Sequence, residues 1–442
     1  MGSGTSPQLV SHLYRRAGFG ATPDQVARLA KQSWPELVEG LLAGLHEVDN
    51  AGSKVRLPHL TTIPQANVPG YQWNGYEEFV NLVTWWLERM VVSDTPLREK
   101  LTLLLHCQFP TSWEKVGWAS LMHAQNQIFR TMGAGRFDTL TEAVAKDPSM
   151  LIWLDTGTDY KADPNENFAR ELMERFTMGA GNYTEWDVRA AAEAFTGWQL
   201  DYTTGEFYAN RYDHDNGNKH FLGRTGRFDG EQVVQIACNT AASHRWVTAR
   251  MWSWLAYPIE PNNSIVAEVA ATYAKTLQIE DLVGAILMHP AFRSPAALGG
   301  LVKQPVEYVV GTLRLLGMNT AAAPSGDLFY TLSNFGQLLF APPSVGGWGF
   351  NQYWLSTSNA NNFLGFAGGM SAYADLTALA DLNGNPSAQV KKMREILGLE
   401  TWSSRTYAAL MKLGTSLKSD SGTWPAQQLM TMALVSPDYL LN

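Results

Sequence analysis

An all-α protein is what this sequence predicts: mostly helical, roughly 17–20 helices, with long ordered loops and at most a small β-hairpin near 205–225. Three observations carry that prediction. Apolar residues recur with a helical period almost from end to end. Helix start signals recur too: "TPDQ" at Thr22, "TPLREK" at Thr95 and "SPAA" at Ser294 each set a cap before a proline. The stretches that break the pattern are aromatic enough to be ordered loops rather than disordered linkers.

In chain order, the periodicity places helices near 7–17, 23–31, 34–43, 75–93, 95–109, 113–131, 137–147, 164–178 and 185–196. After a break they resume near 230–238, 242–256, 263–277, 279–289, 303–316, 328–339, 371–381, 387–396, 403–415 and 424–436. Val48–Asn74 is rich in proline, glycine and asparagine and reads as a surface connection. Segments 199–230 and 340–363 are expected as ordered loops over a candidate cleft. No linker separates modules, so residues 1–442 are expected to form a single helical domain.

The segment "ADPNENFARELMERFTMGAGNYTEWDVRAAAEAFTGW" begins at Ala162 and holds the densest set of acids. Asp163, Pro164 and Glu166 read as a cap, a first-turn proline and its capping-box partner. Thr184 and Asp187 repeat that device, and "MGAGN" is a stop between two helices. On the first helix, Phe168, Ala169, Leu172, Met173 and Phe176 form an apolar face, and Glu166, Arg170 and Glu174 form a salt-bridged row. Glu171 lies at the edge of the apolar face and is the acid expected to be partly buried. A buried carboxylate needs a partner, a metal or a raised pKa.

Other chemistry sits in loops and helix ends. "RYDHDNGNKHFLGRTG" from Arg211 has His214 and Asp215 before a turn signal and Lys219 and His220 after it, flanks that suit a short hairpin. The set reads either as an imidazole–carboxylate pair or as an ordinary polar turn. His106 and His123 lie on neighbouring predicted helices. Gln125 and Asn126 either bind a substrate or tie helices together. "RRAGFG" at Arg15 offers two guanidiniums, which read as an anion site or, as we prefer, as partners for the acids of the 164–178 helix.

Composition excludes several classes. The formal net charge is −8 with no basic stripe, which argues against nucleic-acid binding. Two cysteines permit neither a disulfide framework nor a cysteine-based zinc site. No apolar run reaches the length of a membrane span, and the N-terminus lacks the apolar stretch of a signal peptide. The sequence as it stands reads as cytoplasmic, or as periplasmic or secreted where a leader preceded it. No phosphate-binding loop, dinucleotide fingerprint, zinc-protease motif or nucleophile elbow is present. The 16 tryptophans exceed what a core demands and suggest an aromatic groove, with Trp198, Trp348 and Trp354 as its expected lining.

Ordered along the chain, "HLYRRAGFGATPDQV", "LREKLTLLLHCQF", the segment from Pro164 to Trp198, "HDNGNKHFLGRTGRFDG", "VKQPVEYVVGTLRLLG", "LFAPPSVGGWGFNQYWLST" and "ALVSPDYL" resemble the bacterial family called domain of unknown function 1800. The resemblance spans nearly the whole chain. It implies export and a sulfatase-like protein encoded nearby, hence envelope or glycan chemistry, but no agreed activity. Where the family usually carries Trp-His-Asn-His-Phe, this chain reads Leu105-His106-Cys107-Gln108-Phe109. One imidazole of a pair is missing, so no tightly held transition metal is expected, and any divalent cation would be a weakly bound Ca²⁺ or Mg²⁺ on oxygen ligands.

The expected function is that of an acid–base hydrolase or lyase acting on a glycan or envelope glycoconjugate. Glu171, Glu174, His214, Asp215 and His106 are the expected catalytic groups. Arg170, Gln125, Asn126, Trp198, Lys219, Trp348 and Trp354 are expected to hold the substrate. Two alternatives stand beside it: a non-catalytic glycan-binding or scaffold protein, and a helical cyclase or transferase with an apolar aromatic cavity. The His214 loop is expected to fold over the 164–178 helix, bringing His214 or Asp215 within reach of Glu171 or Glu174, with His106 approaching the same cleft.

Overall fold

The computed structural model describes residues 4–322 and 328–441. Among these the chain is 59% helical, with 24 α-helices and two small antiparallel two-stranded sheets. Some of the start signals act as sequence chemistry dictates, while Thr95 stands at the start of Pro96–Gln108 without a side-chain cap bond. Thr22 and Gln25 close a capping box ahead of Pro23–Leu29, and Thr184 and Asp187 do the same ahead of Glu185–Phe195. "SPAA" at Ser294 is different: it opens only a turn after the short Pro290–Arg293 3₁₀ segment.

Several elements depart from the expected boundaries. The 113–131 helix is two, Trp113–Val116 and Ala119–Met132, because Gly117 takes a left-handed conformation (φ 75°) that ends the first. Short helices at Ile63–Ala66, Pro148–Trp153 and Pro437–Leu440 are too brief to show a period. The 340–363 loop ends early, since Ser356 caps a long helix, Thr357–Tyr373, followed by Thr377–Ala380 in place of the expected 371–381. Its asparagines and three glycines are poor helix formers. Packing of Phe363, Phe366, Ala367 and Met370 in the core overrides that propensity.

The acid-rich helix begins two residues late. Asn165, not Asp163, is its cap, accepting from the Asn167 amide at 2.9 Å. Asp163 instead pairs with Tyr160 in an isolated bridge. After Glu171 the helix widens into a π-helical segment, Leu172–Thr177, a form that recurs at functional sites. The predicted apolar face is buried in full: Phe168, Ala169, Leu172, Met173 and Phe176.

The sheet content is two hairpins rather than one. Trp198–Asp201 pairs with Glu206–Ala209, and Lys219–Phe221 pairs with Arg224–Gly226. The second hairpin turns at Leu222 and Gly223, so the flanks of "DNGN" do not pair with each other as expected. That loop does fold back on the helical hairpin, but onto its second helix. Leu222 donates its amide to Asp187 at 2.6 Å, and Asp215 donates its amide to the Thr196 hydroxyl at 2.8 Å.

The buried residues form two apolar clusters. One gathers the early helices around Phe109, Phe176, Phe195 and Trp252, and the other gathers Trp86, Tyr308, Phe363 and Tyr439. One buried acid among them is densely paired. Glu99, fully buried, accepts from Arg130 at 2.7 and 2.9 Å, from Arg89 at 3.3 Å and from the Trp86 indole at 2.9 Å. Burial opposes its charge, but the two guanidiniums and the indole outweigh it and hold its pKa below the usual carboxylate range.

Candidate active site beside the π-helical segment

The π segment leaves the carbonyls of Arg175 and Phe176 outside the helical ladder, as helix ends do. Side chains from two other helices meet them. Gln108 donates its amide to Phe176 at 2.7 Å and to Arg175 at 3.3 Å, and the Trp246 indole donates to Arg175 at 2.9 Å. Arg250 reaches Gln108 Oε1 at 3.4 Å. Trp246 lies so close to Gly179 that a β-carbon there would come 2.5 Å from the ring, so the first glycine of "GAG" is required for the approach.

Trp246 and Arg250 also wall a cleft of about 640 Å³ completed by Trp254, Tyr257 and Phe350. Arg250 stacks over Trp254 at 4.6 Å. This is an aromatic-lined groove, but not with the expected tryptophans. Trp348 is 8% exposed and Trp354 is fully buried. Trp246, Trp254, Tyr257 and Arg250 sit on or just past one helix, Ala241–Leu255, whose period carries no chemical motif to single them out.

Two of the expected acids lie on the π segment's N-terminal side. Glu171 is half-buried, as expected. Its Oε2 has no hydrogen bond, and its nearest cation is the Arg175 guanidinium at 3.9 Å. Burial, with a smaller push from Glu174, raises its pKa against the opposing pull of Arg175. Glu174 accepts from the Tyr183 hydroxyl at 2.9 Å and lies 3.6 Å from Arg175. Burial and that hydrogen bond push Tyr183 up to about 12, so it stays a phenol donor. Arg170 is committed elsewhere, to Glu185 by two bonds of 2.8 Å and to Glu166 at 3.1 Å.

The remaining expected residues are dispersed. His106 is 2% exposed, ringed by Trp86, Phe129, Phe340 and Trp348, with no partner for Nε2. Burial pulls its pKa down to about 3, so it is neutral. His123 is apart from it, against Trp85 and Gln127. Gln125 ties helices, accepting from Thr111 and donating to Asp147 at 2.7 Å, and Asn126 accepts from Arg130. Lys219 is 2% exposed and holds its own turn through the carbonyls of Asp215 and Gly217.

His214 donates Nδ1 to the Thr196 carbonyl at 2.9 Å, and Asp215 accepts from Gly217 at 2.6 Å and Lys219 at 3.3 Å. Neither has a hydrogen bond or ion pair to Glu171 or Glu174, so the expected imidazole–carboxylate pair across the loop is replaced by bonds to Thr196. His214 lines a second cleft of about 480 Å³ with Trp198, Asp229 and Glu231. Its carboxylates are already engaged, Asp229 as a helix cap and Glu231 with Lys146. Among the described residues no group of three His, Cys, Asp or Glu side chains is placed to hold a metal ion, and no helix is long and apolar enough to cross a membrane.

Fold and site together define a mostly α-helical protein with an acidic π-helical segment set against an aromatic cleft. The family model described as a protein of unknown function, DUF1800, matches residues 12–441, and the chain belongs to that family. No curated protein and no solved structure matches it.

Proposed function

We propose that this protein is an acid–base hydrolase or lyase acting on a glycan bound in the aromatic cleft. One observation carries the reading. Glu171 keeps an unbonded, desolvated carboxyl oxygen three residues from Glu174, whose carboxylate is held by a phenol and lies near a guanidinium. Two acids in environments that differ in this way suit an acid and a base on one substrate. Glu171, with its raised pKa, supplies the proton to the leaving oxygen. Glu174, held by the Tyr183 phenol, acts as base or nucleophile, and Arg175 steadies charge that develops between them. Sugar rings stack on Trp246 and Tyr257 at the neighbouring cleft.

The test is release of new reducing ends or unsaturated products from a panel of polysaccharides. Glu171→Gln and Glu174→Gln are each expected to lower turnover at least about 100-fold while the melting temperature holds. Binding without turnover by the unaltered protein, unaffected by both substitutions, would instead establish a glycan-binding protein.

A further inference from the structure

The paired arginines of "RRAGFG" have no part in the site above, and they do not pair with the acids of the Glu166–Glu171 helix as first expected. Arg15 donates to the Gly398 carbonyl at 3.1 Å and Arg16 to the Ala297 carbonyl at 2.7 Å. Lys303 is buried beside them, donating to the Tyr439 carbonyl and lying 3.5 Å above the Tyr439 ring. Glu307 acts on Arg16 and Lys303, and it is also bound to Lys100. Three cationic side chains, Arg15, Arg16 and Lys303, therefore come together in a poorly solvated region.

Two clefts meet at this place. One of about 230 Å³ is lined by Arg15, Gly299, Thr401 and Asp438. The other, about 400 Å³, is walled by Pro7, Pro23, Val26, Ala27 and Leu399. Gln8, Gly398, Leu399 and Glu400 line both, so the clefts adjoin. Arg15 Nε is buried without a hydrogen-bond partner, and so is Nε of Arg394 in the second cleft. Two acids also line the first cleft. Asp438 is saturated by Ser403 and Thr406, and Glu400 is exposed, where water screens it.

We infer that this double cleft binds an amphiphilic anion, its carboxylate or phosphate head on Arg15 and its aliphatic chain along Pro7, Pro23, Val26 and Leu399. A guanidinium with an unused N–H recognises an oxyanion, and each methylene laid on the apolar wall adds to affinity. The site is separate from the proposed active site and stands or falls without it.

Calorimetric titration of the full chain with decanoate, decyl phosphate, decanol and inorganic phosphate tests it. Decanoate or decyl phosphate is expected to bind with one-to-one stoichiometry, and the stronger of the two identifies the head. Decanol and inorganic phosphate are each expected to bind at least about tenfold more weakly. Ala27→Trp, at an exposed helical position on the apolar wall, should cut decanoate affinity at least about tenfold without changing the circular dichroism. Arg15→Gln should erase the preference for decanoate over decanol. No binding, equal binding of decanoate and decanol, equal binding of phosphate alone, or indifference to Ala27→Trp would each overturn the inference.

Discussion

Gln108 donates to the Phe176 carbonyl at 2.7 Å, tying the end of one core helix to the π-helical segment. It stands where the family resemblance leads one to expect a second histidine. Here that position is a strut for the segment that carries Glu174 and follows Glu171, and Arg250 leans on the same amide. Gln108→Leu removes the donor to the Phe176 carbonyl, while the Arg175 carbonyl keeps the Trp246 indole. A loss of about 1–3 kcal/mol in denaturant unfolding is expected, together with weaker turnover if the acids are catalytic. Unchanged stability would show that the π segment holds itself.

Glu99 is the polar centre of the second core cluster, clasped by Arg130, Arg89 and Trp86. Glu99→Gln leaves the Arg130 guanidinium buried without its counter-charge, while Arg89 keeps Asp49 at 3.6 Å. The expected cost is about 3–5 kcal/mol, read from the midpoint of urea unfolding. Because the folded pKa is depressed, the stability this group supplies is present above the ordinary carboxylate range and is lost as pH falls through the folded value.

Asp159 acts with the opposite sign. It is 1% exposed, its Oδ2 has no partner, and burial pushes its pKa up to about 7. The folded state then holds a proton that the unfolded chain has released, so stability falls as pH rises from about 4 to about 7. Asp159→Asn keeps the acceptor for the Asn165 amide, a 3.0 Å bond, and removes the ionisation. Its melting temperature is expected to exceed that of the unaltered protein at pH 8 and to match it at pH 4.

His106 makes the acid side steeper. Its pKa is pulled to about 3, so below about pH 6.5 the unfolded chain takes up a proton that the folded state refuses. Stability tied to this group is intact above that pH and is lost as pH drops toward 3. His106→Phe fits an aromatic cage in which Nε2 has no partner, and it should cost little at pH 8 while reducing the loss between pH 6.5 and 4. Equal acid sensitivity in both proteins would mean that the imidazole is already charged when folded.

Local rules were legible in the sequence, and the pairing of distant groups was not. The 3.6-residue period, the Thr22 and Thr184 caps and the buried face from Phe168 to Phe176 depend on neighbours within a few positions, so the sequence alone determined them. The half-burial of Glu171 followed from the same wheel. The helix Thr357–Tyr373 was hidden because its asparagines and glycines oppose helix formation, and only the core contact of Phe363 and Phe366 reverses that. Only the tertiary structure decided that Arg15 meets Gly398, that His214 serves Thr196, and that the aromatic cleft is built from Trp246, Trp254 and Tyr257. Sequence period fixes which face of a helix is apolar. Which of the many apolar and aromatic faces meet, and which stay open to a ligand, depends on how all of them compete for burial at once.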